Sequence, residues 1–120
     1  MGVDLVLAPG LYRQRCGVEL ITNRELQDRD IIGSMLRDFL YDLCDTLEMT
    51  PFIPPIIEHV HDGTSAYMGW LESGCQVHTW FGHRFVSVDL YSCKRYSLST
   101  VIDIIKEHFD PIELEVVINV

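Results

Sequence analysis

The sequence predicts an α+β domain: a two-layer sandwich with two helices on one face of a mainly antiparallel sheet. Three observations predict it. Apolar residues recur at helical spacing in two stretches, near 31–47 and 98–109. Short alternating runs, bounded by Gly, Pro and polar clusters, fill most of the rest. The order is strand, helix, several strands, helix, strand.

Each element has its own signal. DLVLAP, 4–9, alternates and reads as a short edge strand that Pro9-Gly10 ends. RCGVELIT, 15–22, is a strand. In the first helix Ile31, Ile32, Met35, Leu36, Phe39, Leu40, Leu43, Cys44 and Leu47 form the apolar face. Arg37, Asp38, Asp42 and Asp45 take the solvent side, Asp28 or Asp30 caps the start, and Thr50-Pro51 marks the stop. Residues 51–63 are extended and broken by prolines, with a strand toward their end. SAYMGWL (65–71), CQVHTWF (75–81) and RFVSVDLYSC (84–93) are strands, the last two joined by a Gly82-His83 hairpin loop. A second helix spans about 99–109 with Leu98, Val101, Ile102, Ile105 and Phe109 inward, and Pro111 ends it. IELEVVINV closes the chain as a strand.

At 120 residues, with 48% hydrophobic and 22% charged residues, a single globular domain over 1–120 is expected. Nine basic against eighteen acidic residues give a net charge of −9, which argues against nucleic acid. It suits a small cationic, amino-acid-like substrate, and it also serves solubility. Cys16, Cys44, Cys75 and Cys93 form no CxxC pair, and MGVDLVLAPG lacks a basic start before its apolar residues. Reduced thiols in a cytoplasmic protein are expected. No run approaches the ~20 apolar residues of a membrane span, so no membrane contact is expected.

The hairpin carries a geometric inference. If Phe81 pairs with Arg84, paired positions sum to a constant, so His78 faces Ser87, Gln76 faces Asp89, and Cys93 lies beside Glu72. Gln76, His78, Ser87, Asp89, Tyr91 and Cys93 then share a polar face, with the Glu72-Ser73 junction at one end. Val77, Val86, Val88 and Leu90 share the apolar face that suits helix packing. The chemistry is expected on the polar face.

The run GTSAYMGWLESGCQVHTW, followed by VDLYSC, resembles the small bacterial and archaeal S-adenosylmethionine decarboxylases. Gly63, Ser65, Glu72, Ser73, His78, Thr79, Trp80, Val88, Asp89 and Cys93 fall at the spacings of that family's motif without gaps. The resemblance implies that Ser73 attacks the Glu72 carbonyl and becomes a pyruvoyl group at the head of residues 73–120. It implies that His78 takes part in the β-elimination, that Ser65 assists, and that Cys93 is the general acid of turnover. Decarboxylating an amino acid needs an electron sink that no side chain supplies, and a ketone condensing with the substrate amine provides one. A thiol beside it suits proton return. A homodimer is also implied, in keeping with a chain too small to enclose a ligand alone.

Two departures mark the sequence. Phe81-Gly82 stands where the family has a Pro-Glu whose glutamate holds the ribose hydroxyls, so a charge-assisted pair of hydrogen bonds is missing. Gly74 replaces the common histidine after the processing serine. The alternatives are the same machinery on a basic amino acid such as ornithine or arginine, or an unprocessed homologue acting as a binding partner. Trp70 and Phe52 are candidates for stacking on the substrate, and Glu19 for its amine. His59 and His61 share a strand face, but no third ligand stands at a convincing spacing, and no metal is expected.

Overall fold

The structure is a computed structural model that describes residues 2–120. Its sheet runs β1 (Val3–Asp4), β2 (Tyr12–Thr22), β3 (Ile56–His59), β4 (Gly63–Trp70), β5 (Ser73–Trp80), β6 (Phe85–Ser92) and β7 (Pro111–Asn119). In space the order is β1-β2-β6-β5-β4-β3, with β7 also on β2, and every pairing is antiparallel. Helices α1 (Arg29–Thr46) and α2 (Leu98–Phe109) cover one face. The expected α+β sandwich is the observed architecture.

Alternation builds the core. Cys16, Val18 and Leu20 on β2, Ala66 and Met68 on β4, Val77 on β5 and Val86, Val88 and Leu90 on β6 are buried toward the helices. Leu36, Phe39, Leu40 and Leu43 of α1 and Val101, Ile105 and Phe109 of α2 meet them. Burying each such side chain contributes roughly 1.5–3 kcal/mol. The rings of Phe39 and Phe109 pack edge to face at 4.9 Å and lock the helices together.

Asp28 is the α1 N-cap, accepting from the Asp30 and Ile31 N–H groups. The stop differs from expectation. Glu48, at φ 57°, turns left-handed just after Leu47, and the Met49 N–H reaches the Cys44 carbonyl while the Glu48 N–H reaches that of Asp45. This is a Schellman ending built without its usual glycine, and it closes the helix at Leu47, ahead of Thr50-Pro51. Ile31, expected inward, is exposed. In α2, Ile104 is buried while Leu98 and Ile102 are only half-buried. Asp110 at φ 44° ends that helix, and Pro111 begins β7 on the sheet edge, where its missing N–H is harmless.

Two further expectations change. The first strand shrinks to Val3–Asp4, and Val6 and Leu7 lie exposed in the turn that follows. The β5–β6 loop is not the two-residue Gly82-His83 turn. Trp80 pairs with Phe85, and Phe81–His83 form a 3-10 turn closed by Arg84 at φ 53°. The Arg84 guanidinium explains that conformation: it donates to the Thr22 and Asn23 carbonyls at 2.9 and 2.6 Å. The expected register survives, with His78 opposite Ser87 and Gln76 opposite Asp89.

Candidate active site

The uncovered face of the sheet is the polar one. At the end where β5 begins and β6 finishes, a cavity of about 1160 Å³ opens between the strands and the N-terminal segment. Glu72, Ser73, Gln76, Asp89, Tyr91 and Cys93 all line it. Four of these come from the hairpin arithmetic, and the fold brings the Glu72-Ser73 junction to them.

That junction is the tip of the β4–β5 hairpin. Trp70 pairs with Ser73, so the loop is only Leu71-Glu72. Glu72 has φ 60°, a left-handed conformation that costs a side-chain-bearing residue about 1–2 kcal/mol. The tip is anchored from both sides. The Leu71 N–H donates to the Thr50 carbonyl at 2.8 Å, and the Cys93 N–H donates to Ser73 Oγ at 3.1 Å. The second bond ties the start of β5 to the residue just beyond β6, so the Ser73 hydroxyl and the Cys93 side chain share one corner of the cavity.

Glycines shape that corner. Gly69 and Gly74 face each other across the hairpin. A Cβ at Gly74 would come 2.9 Å from the Tyr67 hydroxyl, and one at Gly69 would come 2.6 Å from the Phe52 ring. Tyr67 therefore occupies the space a side chain at 74 would need, and its phenol reaches the cavity. Phe52 lies over Gly69, 58% exposed. Trp70 goes the other way. It is 1% exposed in the core and does not line the cavity, so its expected stacking role is not available from this position. Alternation is the reason: Ala66, Met68 and Trp70 share the helix-facing side of β4, and Ser65, Tyr67 and Gly69 the other.

Behind the cavity the loop after Cys93 is held by Gln14, which is buried. Its amide donates to the Tyr96 carbonyl at 3.0 Å and accepts from the Tyr96 N–H at 3.1 Å. Burial pushes the nearby Cys75 thiol well above its usual range, with Cys16 and Asp89 adding to the shift. Burial also raises Cys16, against a lowering contact with Tyr96. These thiols are protonated packing groups. Cys93, by contrast, is partly exposed in the cavity, and all four cysteines are unbridged.

Ser65 and His78 are brought together, but elsewhere. Ser65 Oγ and His78 Nδ1 are 2.8 Å apart across β4 and β5. They do not line the cavity. His78 is five residues along β5 from Ser73, about 16 Å at ~3.3 Å per residue. Glu19 belongs to the same distant row: Ser65 opposes His78, His78 opposes Ser87, and Ser87 opposes Glu19. It too is absent from the cavity lining. The Phe81-Gly82 turn caps this far end of β5.

Sequence reasoning missed Tyr67, Arg15 and the N-terminal wall of Leu5, Leu11 and Tyr12. Extending the pairing arithmetic one strand further would have found Tyr67, which opposes Gln76. Arg15, whose guanidinium lies 4.9 Å over the Tyr91 ring, follows from the β2–β6 register. His59 hydrogen-bonds Thr64 at 2.9 Å. Among the described residues, Asp42, Glu107 and His108 bring metal-binding atoms together, but on the helix layer, where His108 pairs with Asp42 at 2.8 Å. No helix among the described residues is long and apolar enough to cross a membrane.

Comparison with known proteins adds an independent line. A family model described as S-adenosylmethionine decarboxylase matches residues 19–118. Among solved structures, the chain is similar to the adenosylmethionine decarboxylase from Aquifex aeolicus, with a TM-score of 0.68 over 90% of this chain and 88% of that one. Identity is 19%, so this likeness speaks for the fold. No curated protein sequence matches the chain significantly.

Proposed function

Because the chain belongs to the S-adenosylmethionine decarboxylase family, we propose that it is a self-processing decarboxylase whose pyruvoyl cofactor is made from Ser73. Its substrate on this reading is S-adenosylmethionine, in polyamine biosynthesis. One observation carries the reading. The Glu72-Ser73 peptide bond sits at a hairpin tip in the left-handed conformation, and the Ser73 hydroxyl shares a cavity corner with Cys93.

The residues fit such a group. A ketone at position 73 would supply the electron sink that decarboxylation needs. Cys93, on the same corner, would return a proton to the substrate α-carbon. Asp89 and Glu72 give the cavity acidic groups suited to a cationic substrate, and Gln76 adds an amide that can donate and accept. Gly17 opposite Asp89 leaves room for its carboxylate, since a Cβ there would fall 3.0 Å from an Asp89 oxygen.

Ser65 and His78 cannot serve the Ser73 of their own chain across about 16 Å. A second copy packed on the uncovered polar face by a two-fold axis, strands reversed, lays one chain's Ser65–His78 pair over the other's Ser73. We therefore read the protein as a homodimer in which each copy completes the other's site. Ser65, His78, Glu19 and the Phe81-Gly82 turn are contributed as a group. That turn is also what favours a second substrate class. It offers no carboxylate for ribose hydroxyls, and the space around Gly82 is open. Ornithine or arginine, lacking a ribose, would not need one.

Intact mass tests the reading. Cleavage gives residues 1–72 and a 73–120 fragment whose new terminus reacts with phenylhydrazine. Ser73→Ala should leave the chain whole and inactive. A wild-type chain that never cleaves points to a non-catalytic homologue instead. Carbon dioxide release from S-adenosylmethionine, ornithine and arginine then identifies the substrate.

A further inference from the structure

We infer that the left-handed backbone of Glu72, held by the Thr50 carbonyl and the Cys93 N–H, is a loaded device that drives the acyl shift at the bond it precedes. The inference rests on the processing reading above and concerns what makes that bond, among the peptide bonds before serine in this chain, the one that rearranges.

The strain is local and enforced. In a two-residue hairpin loop a positive φ at the second position calls for Gly or Asn, and this chain places Glu there. Such a conformation persists only where its surroundings over-determine it, and such residues gather at functional sites. Here the surroundings are identifiable. The Leu71 N–H is fixed on the Thr50 carbonyl at 2.8 Å, Pro51 bridges Trp70, and the Phe52 N–H reaches the Gly69 carbonyl. On the other strand Ser73 Oγ is fixed on the Cys93 N–H. With Trp70 buried below and Ser73 paired opposite it, both ends of the loop are held.

The chemistry offers the release. Ser73 Oγ bonds to the Glu72 carbonyl carbon, the carbon–nitrogen bond breaks, and the hydroxyl proton ends on the Ser73 nitrogen. This is an isomerisation with no other reactant. The path from the Glu72 carbonyl carbon to the Ser73 Cα lengthens by one atom, through Oγ and Cβ in place of the nitrogen. The tight loop is thereby opened, and Glu72 can leave the left-handed region. An ester is otherwise less stable than the amide it replaces, so relief of strain offsets part of that difference. The Cys93 N–H keeps its bond to the same oxygen, which departs with the Glu72 carboxylate in the following elimination and there benefits from a donor already in place.

Glu72→Gly separates strain from position, because glycine adopts the same backbone conformation without its penalty. Glu72→Ala keeps the Cβ and loses the rest of the side chain, the carboxylate included. Cleavage of the alanine chain, followed by intact mass after rapid purification, should be about 5- to 30-fold faster than that of the glycine chain. In a Ser73→Ala background, which cannot cleave, Gly at 72 should raise Tm by roughly 3–6 °C over Ala at 72. A glycine chain that cleaves as fast as the alanine chain, or shows no gain in Tm, overturns the inference while leaving the processing reading intact. A wild-type chain that never cleaves overturns both.

Discussion

Mixing two inactive chains should restore cleavage to one of them. The perturbation is a pair of variants, His78→Ala and Ser73→Ala, made together in equal amounts with a tag on the second. His78 lies about 16 Å along β5 from the Ser73 of its own chain, whereas a proton-transfer group must come within ~2.6–3.2 Å of its target. No rotamer of an imidazole spans the difference. The His78→Ala chain still has a bond to cleave, and the Ser73→Ala chain still has a histidine to lend. With random pairing, about half of the His78→Ala chains meet a Ser73→Ala partner, and each such pair holds one complete site. Intact mass should therefore find roughly half of the untagged chain as two fragments, the tagged chain whole, and His78→Ala alone uncleaved. Cleavage of His78→Ala by itself at the wild-type rate would remove the histidine from processing. A mixture that stays whole, beside a wild type that cleaves, would refute the assignment of Ser65 and His78 to the second copy.

Three further outcomes are expected. Cys93→Ala should process but lose about 10²- to 10⁴-fold in carbon dioxide release, with cleavage read separately by mass. Gly63→Ala should cost about 1–3 kcal/mol in urea unfolding or prevent folding, because its Cβ would fall 1.7 Å from the Thr79 carbonyl oxygen within the β4–β5 ladder. Stability should decline in alkali. Burial raises the Cys75 thiol in the folded state, so its contribution is full below the ordinary value of 9.0. Unfolded chains ionise above that value and folded ones do not, so the contribution is lost as pH rises toward the folded pKa. The fall of Tm above pH 9 should flatten in Cys75→Ala, and an unchanged slope would exclude Cys75 as its source.

Much of the site was legible because alternation does not depend on the turn. The His78–Ser87 and Gln76–Asp89 pairs hold although the loop between the strands is four residues rather than two. Opening the Phe81–Arg84 pair removes one rung and leaves the sum of paired positions unchanged. What failed had either a partner far away in sequence or no residue type to signal it. Arg84 is left-handed because its guanidinium binds carbonyls some sixty residues earlier, and Glu48 ends α1 through backbone bonds with no glycine to announce it. Trp70, a candidate for stacking and for the core alike, belongs to the core, because the period of two along β4 turns it to the helix side. The distance between Ser73 and His78 was also countable from five strand residues. The resemblance named both roles without saying that one chain could not bring them together.

The two ends of β5 have a consequence for when the protein comes to life. On this arrangement a freshly made chain carries a fuse at one end of its sheet and the match at the other, and it cannot light itself. Maturation is then second order: slow while copies are scarce, quick once their number rises, and stalled by dilution. The abundance of the chain would set its own start time without any separate activating enzyme.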